Sequence, residues 1–480
     1  MPNTTFRSPG LIAYFQSKRA GLDAQLAAHV VDFIAATETT LDCAIYDLRH
    51  PEILTALAQL AHRPHVRLRI AYDASGERNG AEGDPKPAGS ALALSQAGLA
   101  GLATGVHEQG RHLMHDKFLV RDGRDVWVGS ANLTVGGLEL QDNNCLEITS
   151  PALAATYTAT FEELTSPRHE RAHEAVRRHS AHSGSLIAPP TAVDVGGARI
   201  TPYFAPAAGE GIEDALVAAL RHARRIRILA FLIGDPGILE ALQPYADDRA
   251  FDIRGVYDPH GMQDVTRAGR GGGREAHAGR TGKGAYSGQG DARFWFLHDP
   301  RFVAAPSHGF APGREQDFMH NKVIIVDDRL VFTGSYNFSE NAEANDETML
   351  AIESPALAAT YTAYFDTLAA AYAHPGAREP VAAFATASAV AGGAQGAIGG
   401  AAQGDDLIAR LRQQHAEEDR APARAAGRRA ARAAPREKSS LDGVITLVVA
   451  LMVLTALALI AFAALTLSGT LSVTVLPFHF

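Results

Sequence analysis

Short apolar runs alternate with amphipathic stretches along the chain, and this pattern predicts alternating strands and helices. Apolar runs bounded by turn residues predict buried strands. These runs cover 41–46, 66–72, 117–120 and 126–129, then 226–233, 251–257, 323–326 and 330–334. Helical spacing predicts helices over 51–60 and 238–245, and further helices starting at Pro151 and Pro355, each behind a serine cap. Strands alternating with helices indicate an α/β protein.

The second half of the sequence repeats the first. The decapeptide SPALAATYTA occurs at 150–159 and again at 354–363. Upstream segments match at a shorter offset, and the Gly- and Arg-rich stretch 267–290 accounts for the difference as a predicted long loop. The repeat predicts two equivalent domains, over 10–165 and 198–375.

The C-terminal part has a different composition. Residues 381–443 are rich in Ala, Gly and Arg without apolar periodicity, which predicts a disordered linker. Residues 444–467 carry no charge and are mostly apolar. At ~1.5 Å per residue they predict a single transmembrane helix, with a buried core helix as the alternative.

Basic residues precede this predicted helix, and no Lys or Arg follows it. The distribution predicts a C-terminal membrane anchor with the catalytic region in the cytoplasm. The basic stretch is expected either to contact anionic lipid or to remain a solvated linker.

Net charge and cysteine content narrow the classes of function. A formal net charge of -9 argues against a protein that holds nucleic acid by overall positive charge. Cys43 and Cys145 lie far apart without metal-ligand spacing, so we expect buried free thiols rather than a disulfide or a zinc site.

The strongest chemical signal is a duplicated motif, H-x-K-x(4)-D followed by G-S-x-N. The two copies comprise His115, Lys117, Asp122, Ser130 and Asn132, and then His320, Lys322, Asp327, Ser335 and Asn337. Since alternate residues of a strand point to the same side, each histidine shares a face with its lysine. Packing of the halves about a pseudo-two-fold axis would bring both copies to one site.

Such a site suits cleavage of a phosphodiester. One imidazole can attack phosphorus and form a phosphohistidine, while the other donates a proton to the leaving oxygen. The Lys and Asn donors can hold the non-bridging oxygens. This chemistry requires neither a metal nor another cofactor.

The stretches HDKFLVRD...GSAN and HNKVIIVD...GSYN resemble the two HKD motifs of the phospholipase D superfamily. The resemblance covers about 10–375. It implies a duplicated, bilobal fold of two mixed β-sheets flanked by helices about a pseudo-two-fold axis, followed here by the predicted transmembrane helix.

The resemblance also implies a role for each motif residue. His115 resembles the nucleophile and His320 the general acid. Phosphate-binding roles are implied for Lys117, Lys322, Asn132, Asn337, Ser130 and Ser335. Asp122 and Asp327 complete the catalytic motifs, as supporting residues in the turn beyond each strand.

The family often carries a glutamate after the second motif, and Glu347 matches it. Alignment of the repeats places Asn143 opposite Glu347. The site is therefore predicted to be asymmetric, and His115 is predicted to lack that carboxylate.

Three functions remain open at this point. Hydrolysis or transfer of phospholipids, including a cardiolipin synthase-like phosphatidyl transfer, is favoured by the predicted anchor and the basic stretch. Cleavage of single-stranded nucleic acid is favoured by the arginines of 267–280, but the acidic balance and the absence of aromatic clusters in the sequence oppose it. An inactive binding module is the third. The sequence predicts no oligomeric state.

Overall fold

The structure is a computed structural model that describes residues 4–75, 89–106, 112–166, 191–206, 211–248, 251–268, 292–309 and 316–373. The predicted linker (381–443), the predicted transmembrane helix (444–467) and most of the Gly- and Arg-rich loop lie outside the described residues. Within the described ranges, no helix has both the length and the apolar character needed to span a membrane.

The described residues of the first half form one eight-stranded sheet with four α-helices. The strands are β1 Thr5–Ser8, β2 Leu11–Gln16, β3 Thr40–Ile45, β4 Arg67–Asp73, β5 Ala103–Val106, β6 Lys117–Arg121, β7 Asp125–Gly129 and β8 Asn143–Thr149. The helices are α1 Leu26–Ala35, α2 Pro51–Ala61, α3 Ser90–Gln96 and α4 Pro151–Leu164. The strand order is β1-β2-β8-β7-β6-β3-β4-β5, with β3, β4 and β5 parallel and the other pairs antiparallel.

The second half has the same architecture. Its strands are β9 Val193–Val195, β10 Ala198–Ala205, β11 Arg225–Ala230, β12 Asp252–Tyr257, β13 Phe302–Ala304, β14 Lys322–Val326, β15 Leu330–Gly334 and β16 Glu347–Glu353. Its helices are α5 Ile212–Arg221, α6 Pro236–Leu242, α7 Pro259–Ala268 and α8 Pro355–Ala373. Read from β9, the order β9-β10-β16-β15-β14-β11-β12-β13 matches the first sheet strand for strand. The predicted duplicated fold with two mixed sheets is thus confirmed.

Short helical turns complete the described secondary structure. They are the 3-10 turns Ala100–Leu102, Gln243–Tyr245, Ala292–His298 and Glu340–Ala344, and one π-helical turn, Gly136–Leu140.

The two halves share a central hydrophobic core. Alternate residues of β6 divide between two cores: Phe118 and Val120 join the central one, whereas Leu119 joins an outer core beneath α1 and α2. Strand β14 divides in the same way. Helices α4 and α8 contribute Tyr157 and Tyr361 to the central core, so each lies on the inner face of its sheet. The period of two along each strand therefore produces a layered molecule with one core common to both sheets.

The predicted strands and helices are confirmed, with small differences at their ends. The predicted strand 226–233 ends at Ala230, and the predicted helix 238–245 begins at Pro236. Ser150 caps α4 by accepting the Leu153 N–H at 3.3 Å, as expected from the Ser-Pro start. The edge strands β1 and β9 lie outside the predicted domain bounds. Each nevertheless pairs with a strand that the bounds include.

Candidate active site

Each motif histidine lies just before the first strand of a central hairpin and is held by the backbone of the other half. The His115 N–H donates to the Asp346 carbonyl at 2.9 Å, and the Asp346 N–H donates to Leu113 at 2.9 Å. The equivalent pair repeats this arrangement: His320 N–H donates to the Asp142 carbonyl at 3.0 Å. These reciprocal bridges bring the two motifs to one site, as the repeat predicted.

Each imidazole side chain also contacts a residue of the other half. His115 Nδ1 lies 2.8 Å from Glu347 Oε2, whereas His320 Nδ1 lies 3.1 Å from Asn143 Oδ1. The prediction that His115 lacks the carboxylate is therefore wrong. Asn143 and Glu347 are the first residues of the equivalent strands β8 and β16. Each contacts the histidine of the opposite half.

Both partners are buried and held in fixed orientations. Ser335 Oγ donates to Glu347 Oε2 at 2.6 Å, and Asn345 Nδ2 donates to Oε1 at 3.1 Å. In the first half, Ser130 Oγ donates to Asn143 Oδ1 at 2.7 Å, and Asn143 Nδ2 donates to the Gly137 carbonyl at 2.8 Å. An amide oxygen cannot donate, so His320 Nδ1 carries the proton of that bond.

The contacts of Ser130 and Ser335 point to positioning within the protein, and their phosphate-binding role stays a prediction. Each hydroxyl faces the partner of a histidine, and both serines are fully buried. Their Oγ atoms also accept the N–H of Asn144 and Thr348 from the neighbouring strand. The serines position the histidine partners, because the hairpin turns their side chains inward to the adjacent strand.

The two motif lysines are almost completely buried, at 1% exposure for Lys117 and 0% for Lys322. Each Nζ donates to the carbonyl of its own motif histidine, at 2.7 and 2.8 Å. Each also lies over an aromatic ring, Lys117 over Tyr46 at 5.1 Å and Lys322 over Phe231 at 5.6 Å. A lysine ammonium has three N–H donors, so donors remain beyond the one that the carbonyl accepts.

The electrostatics of the site favour an anionic ligand. Burial lowers the pKa of Lys117 to about 8 and holds the pKa of Lys322 well below its ordinary value, helped by the charge of Lys117. Burial lowers the pKa of His320 in the same direction, and both lysines add to the effect. Burial raises the pKa of Glu347 to about 8. A bound anion would reduce the repulsion among Lys117, Lys322 and His320 and so raise their pKa values again.

Asn132 and Asn337 occupy equivalent partly exposed positions three residues beyond β7 and β15. This is the end of each hairpin at which the histidines lie, because the paired strands run antiparallel. Among the described residues, neither Oδ1 has a hydrogen-bond partner. Their phosphate-binding role stays a prediction.

Asp122 and Asp327 lie at the opposite end of the hairpins from the histidines. Seven residues of extended chain separate His115 from Asp122, which is roughly 20 Å. Asp122 accepts the N–H groups of Thr39 and Thr40 at 2.7 and 2.9 Å, and Asp327 accepts those of Arg224 and Arg225 at 2.8 Å. The structure therefore corrects the expectation that they belong to the catalytic set.

The local backbone gives these aspartates a structural reason to be present. Both have positive φ, 53° for Asp122 and 51° for Asp327, in the hairpin turn. Asp tolerates this left-handed conformation better than most residues. Each carboxylate then joins the turn to the start of the adjacent strand.

Two aromatic residues beside the histidines were missed by the sequence reasoning. Tyr46 lies 4.8 Å from His115, and Phe231 lies 5.4 Å from His320, measured between ring centroids. They occupy equivalent positions after β3 and β11, so the repeat offset could have paired them. Phe231 also contacts Phe318 at 5.2 Å, and Phe318 stacks on His260 at 5.3 Å. An aromatic wall of Phe231, Phe318 and His260 thus lies beside His320.

A group of three carboxylates lies outside the catalytic cluster, around the start of α6. Ligand oxygens of Glu213, Asp235 and Glu343 all lie within 4.8 Å of one another, close enough to hold a cation. Burial and the neighbouring carboxylates raise the pKa of Glu343 to about 9, so protons can stabilise the group instead. The equivalent place in the first half holds a His50–Glu139 pair at 3.0 Å.

Comparison with known proteins gives a consistent family assignment. The family model described as "Cardiolipin synthase, PLD-like domain" matches residues 30–165 and 200–369. A mitochondrial cardiolipin hydrolase from Chlamydomonas reinhardtii is 25% identical over 134 residues, which cover 28% of this chain and 55% of that protein. The chain thus spans about half the length of this curated relative.

One solved structure shares the fold. The phosphatidylserine synthase of Haemophilus influenzae aligns with a TM-score of 0.52 at 14% identity, over 76% of this chain and 88% of that one. A phospholipase D family member, Nuc from Salmonella typhimurium, aligns with a TM-score of 0.24 at 23% identity, over 35% of this chain and 92% of that one.

Proposed function

This chain belongs to the phospholipase D superfamily, and from that premise we propose that it hydrolyses or transfers phosphodiester bonds of phospholipids through a phosphohistidine. The observation that carries the proposal is the convergence of two imidazoles and two buried lysines at one site, with a carboxylate or an amide fixing each imidazole. Such an arrangement supplies a nucleophile, a proton donor and donors for the phosphoryl oxygens.

The proposed reaction has two steps that share one pair of histidines. In the first, Nε2 of one histidine attacks phosphorus, the bond to the leaving oxygen breaks, and the other histidine gives that oxygen a proton. In the second, water or an alcohol gives its proton to the second histidine, and its oxygen displaces the first. Water gives hydrolysis, and an alcohol gives transfer.

The buried lysines give this reaction its electrostatic support. Lys117 and Lys322 donate to the backbone carbonyls of the motif histidines, which fixes the position of both Nζ atoms. Donors fixed in advance at a buried site stabilise the charge that builds on the non-bridging oxygens. The amides of Asn132 and Asn337 lie at the same end of the hairpins and are proposed to add donors.

Phospholipids are the favoured substrates because of the family and the C-terminal sequence. The matched family model carries the name of cardiolipin synthase, and the curated relative is named a cardiolipin hydrolase. We also propose that 444–467 anchors the chain in a membrane, with the catalytic region in the cytoplasm. An enzyme tethered there would meet phospholipid head groups directly.

A substrate panel tests the proposal. Phosphatidylcholine, cardiolipin and single-stranded DNA would each be incubated with the full chain and with its His115→Ala variant. We expect release of a head group or a phosphatidyl group from lipid by the wild type alone. Activity that persists in His115→Ala, or none on either lipid, contradicts the proposal.

Truncation before Val444 tests the anchor separately. We expect the full chain to sediment with phosphatidylcholine vesicles, which carry no net charge for the basic stretch to bind, and the truncated chain to remain in solution with activity on a soluble diester. Co-sedimentation of the truncated chain to the same extent contradicts the anchor.

A second candidate, cleavage of single-stranded nucleic acid, is favoured by one observation. The aromatic wall of Phe231, Phe318 and His260 beside His320 is assembled from three separate segments. Unpaired bases stack on aromatic side chains, at ~1–3 kcal/mol per base. The DNA arm of the panel tests this candidate, and Phe318→Ala should weaken DNA cleavage if the wall stacks a base.

A further inference from the structure

We propose that Glu347 and Asn143, rather than the two HKD motifs, decide which histidine attacks phosphorus and which one donates the proton. Exchanging these two residues should exchange the two tasks. The inference rests on the proposed function, because it assigns the tasks within that reaction.

The two motif copies are nearly alike in the hydrogen bonds of the lysine, the histidine backbone and the serine. Lysine Nζ donates to the histidine carbonyl at 2.7 Å in one copy and 2.8 Å in the other. The backbone N–H of the histidine donates across the halves at 2.9 and 3.0 Å. A serine donates to the histidine partner at 2.7 Å from Ser130 and 2.6 Å from Ser335. These contacts do not distinguish His115 from His320.

The group that faces Nδ1 does distinguish them. Glu347 presents a carboxyl group to His115 at 2.8 Å, and both residues are buried. An imidazole acquires positive charge when its Nε2 bonds to phosphorus. Burial raises the pKa of Glu347 to about 8, and the positive charge that forms on His115 favours the ionised form of this group. The carboxylate at Nδ1 then stabilises that charge, and the low local dielectric strengthens the interaction. Glu347 therefore favours attack by His115.

Asn143 gives His320 orientation without negative charge. Its Oδ1 accepts the Nδ1 proton at 3.1 Å, and the bond from Nδ2 to Gly137 prevents the amide from turning over. The ring is thus held with Nε2 available. Burial and both lysines lower the pKa of His320, so its protonated form requires the negative charge of the bound diester. Without a carboxylate at Nδ1, that protonated ring gives up its Nε2 proton more readily. His320 is therefore suited to protonate the leaving oxygen and afterwards to accept a proton from water.

The assigned steps balance. The Nε2 lone pair of His115 forms the P–N bond, the P–O bond breaks, and the leaving oxygen takes the proton from Nε2 of His320. Water then transfers a proton to Nε2 of His320 while its oxygen bonds to phosphorus. The P–N bond breaks and its electron pair returns to His115.

An aryl diester separates the two tasks experimentally. Bis(p-nitrophenyl) phosphate releases a stable phenolate, so the first step with this substrate needs no general acid. A burst of nitrophenolate from the full chain therefore reports the nucleophile. In the wild-type background we expect His320→Ala to retain the burst and His115→Ala to lose it.

The double variant Asn143→Glu, Glu347→Asn provides the decisive comparison. Combined with it, we expect His115→Ala to retain the burst and His320→Ala to lose it. Mass spectrometry of acid-sensitive phosphopeptides should find the phosphoryl group on His115 in the wild type and on His320 in the double variant. A folded double variant that still phosphorylates His115 overturns the inference, as does a wild type that phosphorylates His320.

Single substitutions keep the inference testable if the double variant does not fold. Glu347→Gln preserves size and removes the charge, so we expect phosphohistidine formation at least about tenfold slower, the equivalent of one pKa unit of lost support. Glu353→Gln is the matched control: the same change on the same strand, at an exposed residue outside the site. Equal rates for Glu347→Gln and the control overturn the inference.

The outcomes also separate this inference from the proposed function. If the wild type forms no phosphohistidine with any diester, the proposed function fails. If the wild type forms one and the exchange leaves its position unchanged, only the inference fails.

Discussion

The two halves of this chain share one strand order and one motif, yet their half-sites differ in the residue that each lends to the other. The second half supplies the carboxylate of Glu347 to His115, and the first half supplies the amide of Asn143 to His320. A duplicated fold can thus keep its scaffold symmetric while the residue that faces each histidine differs between the halves.

The residues that surround the two histidines also differ between the halves. Beside His320 lies the aromatic wall of Phe231, Phe318 and His260. The positions equivalent to Phe318 and His260 in the first half are Leu113 and Ser75, and Asp47 pairs with Arg49 at 2.6 Å next to Tyr46. The side of the proposed leaving group therefore carries three neighbouring rings, whereas the opposite side has Tyr46 beside an ion pair and lacks equivalents of Phe318 and His260.

The largest expected effect comes from removing either histidine. His115→Ala and His320→Ala should each lower steady-state turnover of a phospholipid by at least about 10³-fold, because each step of the reaction uses both imidazoles. Steady-state release of the alcohol measures this effect. Substantial turnover in either variant would contradict a single site shared by both halves.

A smaller effect is expected from pH. Lys117 loses its proton as pH rises through about 8, since burial lowers its pKa to that value. Binding of inorganic phosphate or tungstate should therefore weaken above this pH, by up to about tenfold per pH unit for one proton. Isothermal titration calorimetry in buffers of different ionisation enthalpy should also show proton uptake on binding.

Lys117→Met is the control for this prediction. It should bind these anions weakly at every pH. Its affinity should also change less with pH, because the titration of Lys117 is removed. An affinity that is independent of pH in the wild type between 7 and 9.5 would contradict the assignment.

The motif aspartates should affect stability rather than chemistry. Asp122→Asn keeps a residue that tolerates positive φ, so the substitution tests the carboxylate alone. We expect a loss of about 1 kcal/mol in the free energy of unfolding, since Asp122 accepts the N–H groups of Glu38, Thr39 and Thr40. Asp327→Asn should lower the free energy of unfolding by less than Asp122→Asn does, because Asp327 accepts from two backbone N–H groups rather than three. Denaturant unfolding measures both changes.

The backbone N–H donors to Asp122 determine how its contribution to the free energy of unfolding changes with pH. Although partial burial opposes ionisation, the N–H groups of Thr40, Thr39 and Glu38 hold the pKa of Asp122 below its ordinary value. This stabilisation is present above the ordinary pKa and is lost as pH falls through the lower, folded value. The stability difference between wild type and Asp122→Asn should therefore shrink in acid. A large loss of turnover in a stable Asp122→Asn variant would contradict the structural role.

The smallest expected effect is that of chelation. The proposed steps use protein groups alone, so EDTA should leave turnover of a soluble diester unchanged. Strong inhibition that added metal reverses would contradict the mechanism in both half-sites.

The sequence was sufficient for much of the fold. The period of two in 117–120 and 323–326 predicted the hairpin strands, and the Ser-Pro starts predicted α4 and α8. Several elements were not predicted: strands β1, β2, β5, β8, β9, β10, β13 and β16, and helices α1, α3, α5 and α7. The identity of these strands depends on the strands beside which they pack.

The site was predicted in its residue types but not in all of its contacts. The duplicated His and Lys were found because their chemistry and spacing repeat. The contacts of Ser130, Ser335 and the two aspartates were not predicted, because a motif does not show which way each side chain turns. The aromatic wall was missed because its three members are far apart in sequence.

By itself, the sequence determined that two equivalent units would each carry a histidine and a lysine on one face, since strand periodicity is a local property of the chain. The tertiary structure alone decided how those units exchange contacts. Glu347 belongs to the second half but serves His115, because the backbone bridges between the halves place each strand end beside the other motif. No local pattern encodes a contact between residues separated by 232 positions.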